Sequence, residues 1–266
     1  MLCFLILKNQ LMIKFFRKIR QNLLMENKTE KYFKYAIGEI VLVVIGILIA
    51  LQVSNWNQLR VEKNIINAYY TKLVTALETD IMLQSSNIDK LSLNCDNLMR
   101  CLDILNTKNE DDIEEFKAKI GAINIPFAND YSMELFDEFM NKGYLSKIKD
   151  PKLKSQFERL KIELKRGDNW DELLDSDYVN NVSPFIQNNL NYTDFNLPSD
   201  LFKSKDRPKG GPKVDYSKLF DNLKVWNAIH GRLNFFKRTL NLNIGMLEAL
   251  TELKKSLSEI ETIRNN

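Results

Sequence analysis

The chain has 266 residues, of which 27% are charged and 44% apolar, with only 9 Gly and 6 Pro. That balance is ordinary for a folded protein and argues for long helices against a turn-rich sheet fold. The net charge of +3 conceals an asymmetry: residues 1–34 carry eight Lys and Arg against two Glu, a net +6, leaving −3 for the remainder, so the overall basicity is no argument for nucleic-acid binding.

Residues 1–11, MLCFLILKNQL, open the chain. The apolar run from Cys3 to Leu7 is too short for a membrane span or a signal-peptide core, and no small-residue cleavage site follows it. Met12 begins a more coherent segment. The expectation is that translation starts at Met12; a weakly apolar, disordered tail from Met1 is the alternative. In residues 13–24, IKFFRKIRQNLL, the apolar Ile13, Phe16, Ile19 and Leu23 recur at helical spacing while Lys14, Arg17, Lys18 and Arg20 occupy the rest. A basic helix of this kind lies in a membrane interface. Each cation near an anionic leaflet contributes about 1 kcal/mol. Phe16, Arg17, Lys18 and Arg20 are therefore candidate interface residues, against the plainer reading of a solvated basic tail.

The stretch from Tyr35 to Trp56, YAIGEIVLVVIGILIALQVSNW, dominates the chain. From Ile40 to Leu51 it holds only apolar residues and Gly. Extended to Ala36 and Val53 it gives about 27 Å of helix, against a hydrocarbon core of about 30 Å. Tyr35 and Trp56 then fall at the two interfaces, where aromatic side chains concentrate. The expectation is a transmembrane helix, the competing reading a buried helix of a soluble protein. Cations before the span and only Arg60 and Lys63 just beyond it place the N-terminus in the cytoplasm and the following residues outside. Within the span Gly38, Gly46, Ala50 and Ser54 recur at multiples of four. Small side chains let two membrane helices approach closely, so these four are candidates for a homodimer contact, although Gly is also simply common in membrane helices.

The wording FFRKIRQNLL, then KYFKYAIGEIVLVVIGILIALQ, then Asn55-Trp56-Asn57, resembles the opening of a family of bacterial single-pass membrane proteins catalogued as a domain of unknown function. The resemblance covers Ile13 to Asn57, with a looser echo at LFDEFMNKGYLSKIKDPKLKSQF, Leu135 to Phe157. It implies a short basic start, one span and an outward helical domain. It implies no activity, cofactor or catalytic residue.

Beyond the span no Pro or Gly interrupts residues 57–107, and Leu59, Ile66, Tyr70, Leu73, Leu77 and Ile81 continue a helical stripe. Ile88, Leu91, Cys95, Leu98, Leu102 and Leu105 then follow the three-four repeat of a bundle or coiled-coil seam. Polar residues at Gln84–Asn87 admit a bend. Glu110-Asp111-Asp112 suit a helix start. Shorter helices are expected over 113–122 and 132–141, the second stopped by Gly143. Asp150-Pro151 opens another, expected to close at Gly167. Residues 169–191 read as a helix or two with a break near Pro184. Residues 203–213, KSKDRPKGGPK, read as a loop and match no phosphate-binding pattern. From about Asp215 to Ile263 a second long helix is expected, weakened at Gly231 and Gly245 and open to a break near Gly231. The two long segments suggest antiparallel packing with the shorter helices beside them.

The chemistry is sparse. His230, the only His, reads as a packed core residue. Cys95 and Cys101 are six residues apart, on different faces of a helix, and cannot easily bridge to each other. Cys95 reads as a buried small apolar residue, and Cys101 is a candidate for an intermolecular bridge. Asp168, Asp171 and Glu172 offer oxygen ligands without a calcium-loop spacing, and acidic clusters of this kind are usually solvated faces and helix caps. No catalytic, cofactor or metal residue is assigned.

The reading that results is an all-α chain: a cytoplasmic basic segment at 1–34, a single transmembrane helix at 35–56 and an extracytoplasmic, periplasmic helical bundle at 57–266. A non-enzymatic interaction or scaffold module of the bacterial envelope is the leading function. Its partners would be the bilayer, a second copy and an envelope protein, with no nucleic acid. A sensory ectodomain that binds a small ligand and signals through a partner is the alternative.

Overall fold

In the computed structural model, residues 17, 18, 21, 29–125, 133–195 and 210–265 are described, and among these every regular element is helical. The chain divides into two compact units, residues 1–65 and 66–266. The fold class is all-α.

Helix α1, Thr29–Thr107, contributes to both units and runs for 79 residues. Nothing breaks it, because no Pro lies within it and its two Gly, Gly38 and Gly46, meet no neighbouring structure. The helix continues through Gln84–Asn87, where the sequence admits a bend. Gln84 is buried and its amide Nε2 donates to the Asn243 carbonyl at 3.0 Å, while the Ser85 hydroxyl donates back to Ile81 O at 2.9 Å. The Gln84 amide N–H and the Ser85 hydroxyl thus find partners without leaving the helical geometry, although Gln84 Oε1 has none.

In the second unit α1 is followed by a 3₁₀ turn at Glu110–Asp112, helix α2 at Ile113–Ile120 and a further 3₁₀ turn at Gly121–Asn124. Arg100 holds α2 to α1 with a two-pronged bond to Glu115, at 3.1 and 2.7 Å. Helix α3, Glu134–Asn141, ends at Gly143, whose φ of 72° is the left-handed stop that the sequence signals. Leu145 and Ile148 then pack inward through a 3₁₀ turn at Tyr144–Lys147.

Helix α4, Pro151–Asp177, starts as expected: the Asp150 side chain accepts from Lys152 N at 2.9 Å and Pro151 takes the first helical position. It does not stop at Gly167. That Gly is buried within the helix, and Trp170 one turn later donates its indole N–H to Thr239 Oγ1 at 2.8 Å and packs on Phe235. A mid-helix Gly costs about 1 kcal/mol, less than an anchored Trp returns. A single π turn, Tyr178–Val182, leads into helix α5, Ser183–Asn189, with Pro184 in its first turn.

A 3₁₀ turn at Tyr216–Leu219 precedes helix α6, Leu223–Asn265. Asn222 caps α6 by accepting from Lys224 N at 3.0 Å. The helix therefore begins later than Asp215, and it passes Gly231 unbroken.

Contacts between α6 and the second-unit part of α1 run in reverse order. Arg264 reaches Asn67 O and Thr71, Lys254 pairs with Glu78 and Gln84 meets Asn243, and just beyond the two helices Lys108 pairs with Asp221. The two segments are thus antiparallel. Two apolar clusters fill the space between elements. One joins Leu91, Cys95, Leu98 and Leu105 to Phe116, Ile186, Val225 and Phe236. The other joins Tyr70, Leu73 and Leu77 to Phe139, Phe157, Leu250 and Leu253. Of the seam expected on α1, Leu91, Cys95, Leu98, Leu102 and Leu105 are buried and Ile88 is half-buried, while Leu223 and Ile244 of the α6 stripe are exposed.

Phe157 is fully buried and stacks on Phe139 at 4.8 Å and Phe136 at 5.9 Å. Urea unfolding of the detergent-solubilised chain should show Phe157→Ala losing about 3–5 kcal/mol. Leu93→Ala, at an exposed position, should stay within about 0.5 kcal/mol of the parent.

Candidate functional site

The first candidate is the apolar surface of α1 within the first unit. Its most apolar 18-residue window has a mean hydropathy of 2.6 and none of it is buried by the rest of the chain. From Ile40 to Val53 the side chains stand in the open. Length and composition make this helix able to cross a membrane. At Gly38 and Gly46 an added Cβ would meet nothing within 4 Å, and Ala50 and Ser54 are exposed, so all four small residues lie on open helix surface. They do not form one straight face. Steps of four drift by about 40° each, which puts Gly38 and Ser54 about 160° apart and leaves Gly46, Ala50 and Ser54 as the compact part. A stripe that winds this way matches a right-handed helix crossing. Trp56 is exposed, and the Arg60 guanidinium lies 5.4 Å over its ring while bonding Asn57 Oδ1 at 3.3 Å. Arg17 and Lys18 are helical and exposed. Phe16 and Arg20 lie outside the described residues, and of Tyr35 only the backbone, part of α1, is described.

The second candidate lies wholly in the second unit and was not singled out by the sequence. Arg232 on α6 and Asp177 at the end of α4 are both buried, and Arg232 Nη1 donates to Asp177 Oδ2 at 3.1 Å. Asn181, on the π turn, donates to the other Asp177 oxygen at 2.9 Å. Arg232 Nη2 donates to the Ile125 carbonyl at 3.1 Å, and the guanidinium carbon sits 4.6 Å over the Phe236 ring. Burial pushes the Arg232 pKa below its ordinary value, and Asp177 opposes that shift. The Nε–H of Arg232 is buried with no hydrogen-bond partner. A π turn widens the helix by one residue and leaves room beside it, which is why such turns occur often at functional sites. Here the turn lies on a cleft of about 800 Å³ between the end of α4, α5 and the start of α6, lined by Asp177, Arg232, Gly231, Lys224, Phe185 and Phe235 among others.

The individually read residues fall elsewhere. His230 is exposed on α6, with Nδ1 3.2 Å from Asn234 Nδ2, which corrects the expectation of a core His. Val225, Ile229 and Leu233 take the inward positions and turn the next residue, His230, outward. Cys95 is buried as expected. Cys101 is also buried, in the same cluster, which argues against the intermolecular bridge for which it was a candidate. Both point inward because elements cover α1 over a wide arc there. Burial pushes the Cys101 thiol up to about 12. Residues 168–172 lie within α4, and among the described residues no group of three or more His, Cys, Asp or Glu could hold a metal ion.

Comparisons with protein-family models, curated proteins and solved structures return no match. The Arg232 cluster escaped the sequence reading because Asp177 and Arg232 are 55 positions apart. Its nearest signal was an Arg at a position of the α6 pattern flanked by Ile229, Leu233 and Phe236.

Asp177→Ala strands the guanidinium in the interior and should cost about 3–5 kcal/mol in urea unfolding, and the paired Asp177→Leu, Arg232→Met should recover most of the loss. Cys101 is buried and its thiolate is disfavoured, so iodoacetamide should leave it unmodified in the folded chain and label it in urea, as mass spectrometry of the peptides would read.

Proposed function

We propose that the chain is a single-pass protein of the bacterial inner membrane, with residues 35–56 in the bilayer, residues 1–34 in the cytoplasm and residues 57–266 outside, in the periplasm. The observation that carries this reading is the apolar window of α1, which is uncovered along its whole length. An exposed apolar surface of this kind in water is unfavourable by about 25 cal/mol for each Å², and lipid removes that cost. The excess of cations before the window supports the orientation. The resemblance of residues 13–57 to the bacterial single-pass family points the same way.

Beyond the membrane the chain acts as a non-enzymatic interaction module of the envelope. The support is its construction: helices packed on two apolar clusters. A second copy is one partner, through Gly46, Ala50 and Ser54, and an envelope protein is another. The alternative, a sensory domain that binds a small ligand, is favoured by the cleft beside Arg232.

Alkaline phosphatase fused after Asn266 should be active in a two-membrane bacterium, and the same enzyme fused after Leu24 should be inactive. The reverse pattern would overturn the orientation, and release of the unfused chain by alkaline carbonate would overturn the anchor. In a membrane self-association assay Gly46→Ile should lower the dimer fraction at least several-fold, because a β-branched side chain keeps the helices apart. An unchanged fraction removes this face from the proposal. Crosslinking in native membranes should recover an adduct with an envelope protein, and recovery of monomer alone would count against the interaction module.

A further inference from the structure

The cleft beside Arg232 has a chemistry of its own. Four of its asparagines, Asn180, Asn181, Asn188 and Asn189, point their amide donors back at their own helical segment. Asn180 Nδ2 bonds Ser176 O at 2.8 Å, Asn181 Nδ2 bonds Asp177 Oδ1 at 2.9 Å, and Asn188 and Asn189 bond Pro184 O and Phe185 O, both at 2.8 Å. One amide N–H of each is used in this way, and each side chain keeps a carbonyl oxygen, Oδ1, with no protein partner among the described residues. The wall made by the π turn and α5 therefore offers hydrogen-bond acceptors.

The opposite wall differs. It is the first part of α6, where Lys224 sits in the first turn of a 43-residue helix whose N-terminus carries partial positive charge. No ion pair engages Lys224 among the described residues. Asp177, the one acidic residue that lines the cleft, is already matched by Arg232, whose Nε–H is buried without a partner. The charge left to the cleft is positive. Phe185 and Phe235 add apolar surface between the polar groups. Gly231 lies in this wall too, and a Cβ built on it meets nothing within 4 Å, so the space there is open. A cleft of about 800 Å³ is in the range that holds small-molecule ligands.

A ligand complementary to these walls carries a negative group for Lys224, several hydroxyl donors for the Asn carbonyls and a C–H face for the aromatic rings. We propose that this cleft binds a small hydroxylated anion of the size and chemistry of a sugar acid, with Lys224 facing its charged group and Asn180, Asn181, Asn188 and Asn189 accepting from its hydroxyls. Arg232, held by Asp177, closes the floor. The sensory reading gives this binding its use; the binding itself needs neither that reading nor any membrane orientation.

The test is isothermal titration calorimetry on the full chain in detergent, with glucuronate, glucose and inorganic phosphate as separate probes. Glucuronate should bind saturably, and glucose and phosphate should each bind at least about tenfold more weakly, because each lacks one half of the complementarity. Lys224→Gln, at an exposed position, should weaken glucuronate about tenfold. Gly231→Leu fills open space on a helix and should abolish binding while the melting temperature holds or rises. No saturable heat with any probe up to about 10 mM overturns the proposal. So does glucuronate binding that both variants leave intact, and equal binding of phosphate overturns the role of the Asn carbonyls. If glucuronate binds as expected but cells lacking the chain respond to it like the parent, the sensory reading fails and the site stands.

Discussion

The second unit depends on one buried polar contact, the bond from Gln84 Nε2 to the carbonyl of Asn243 across 159 residues of chain. Gln84 is fully buried and its Oε1 has no partner, so the contact is costly to hold and costlier to break. Apolar stripes alone would let α1 and α6 slide past each other by a turn with little loss. A buried polar group that meets its partner in only one alignment removes that freedom. Thr239, one turn from Asn243, receives the Trp170 indole N–H and brings α4 into the same layer. The layer separates the two apolar clusters, so each cluster packs against a register already set.

The Arg232 cluster follows from that register. Once α4 lies along α6, with Arg159 bridging Glu248 and Glu252 at 2.9 and 2.7 Å and Trp170 on Thr239, the end of α4 arrives opposite the early part of α6. Asp177 then faces Arg232. The pair is neutral, but the guanidinium has more donors than Asp177 and the Ile125 carbonyl accept. The π turn that follows shifts the chain by one residue and sets Asn181 on Asp177 while opening the cleft beside it.

Much of the architecture was readable beforehand, for reasons that are local. The Asp150-Pro151 start, the Gly143 stop and the three-four seam from Leu91 to Leu105 are each determined within one or two helical turns. The errors share one cause. Gly167 looked like a helix end because its neighbours in sequence carry no evidence of Thr239 and Phe235, which hold Trp170 in place. A bend at Gln84–Asn87 stayed open because the partner of Gln84 lies 159 residues away. His230 looked inward because the phase of the α6 stripe is set by what covers it. Of the candidate site, the apolar stretch and its small residues were legible from their types alone, whereas the cleft was not.

The sequence by itself determined the all-α class, the uninterrupted apolar stretch from Ile40 to Leu51, the charge asymmetry around it and most helix starts and stops. These rest on composition, on spacing along one helix and on the backbone chemistry of Pro, Gly and Asp, all properties of neighbouring residues. Only the tertiary structure decided that α1 and α6 run antiparallel in one register, that Cys101 is sealed in the core and that Arg232 meets Asp177 beside an asparagine-lined cleft. Each of these depends on which side chains a distant segment brings close, and burial sets both the thiol's inertness and the strength of the charge pair.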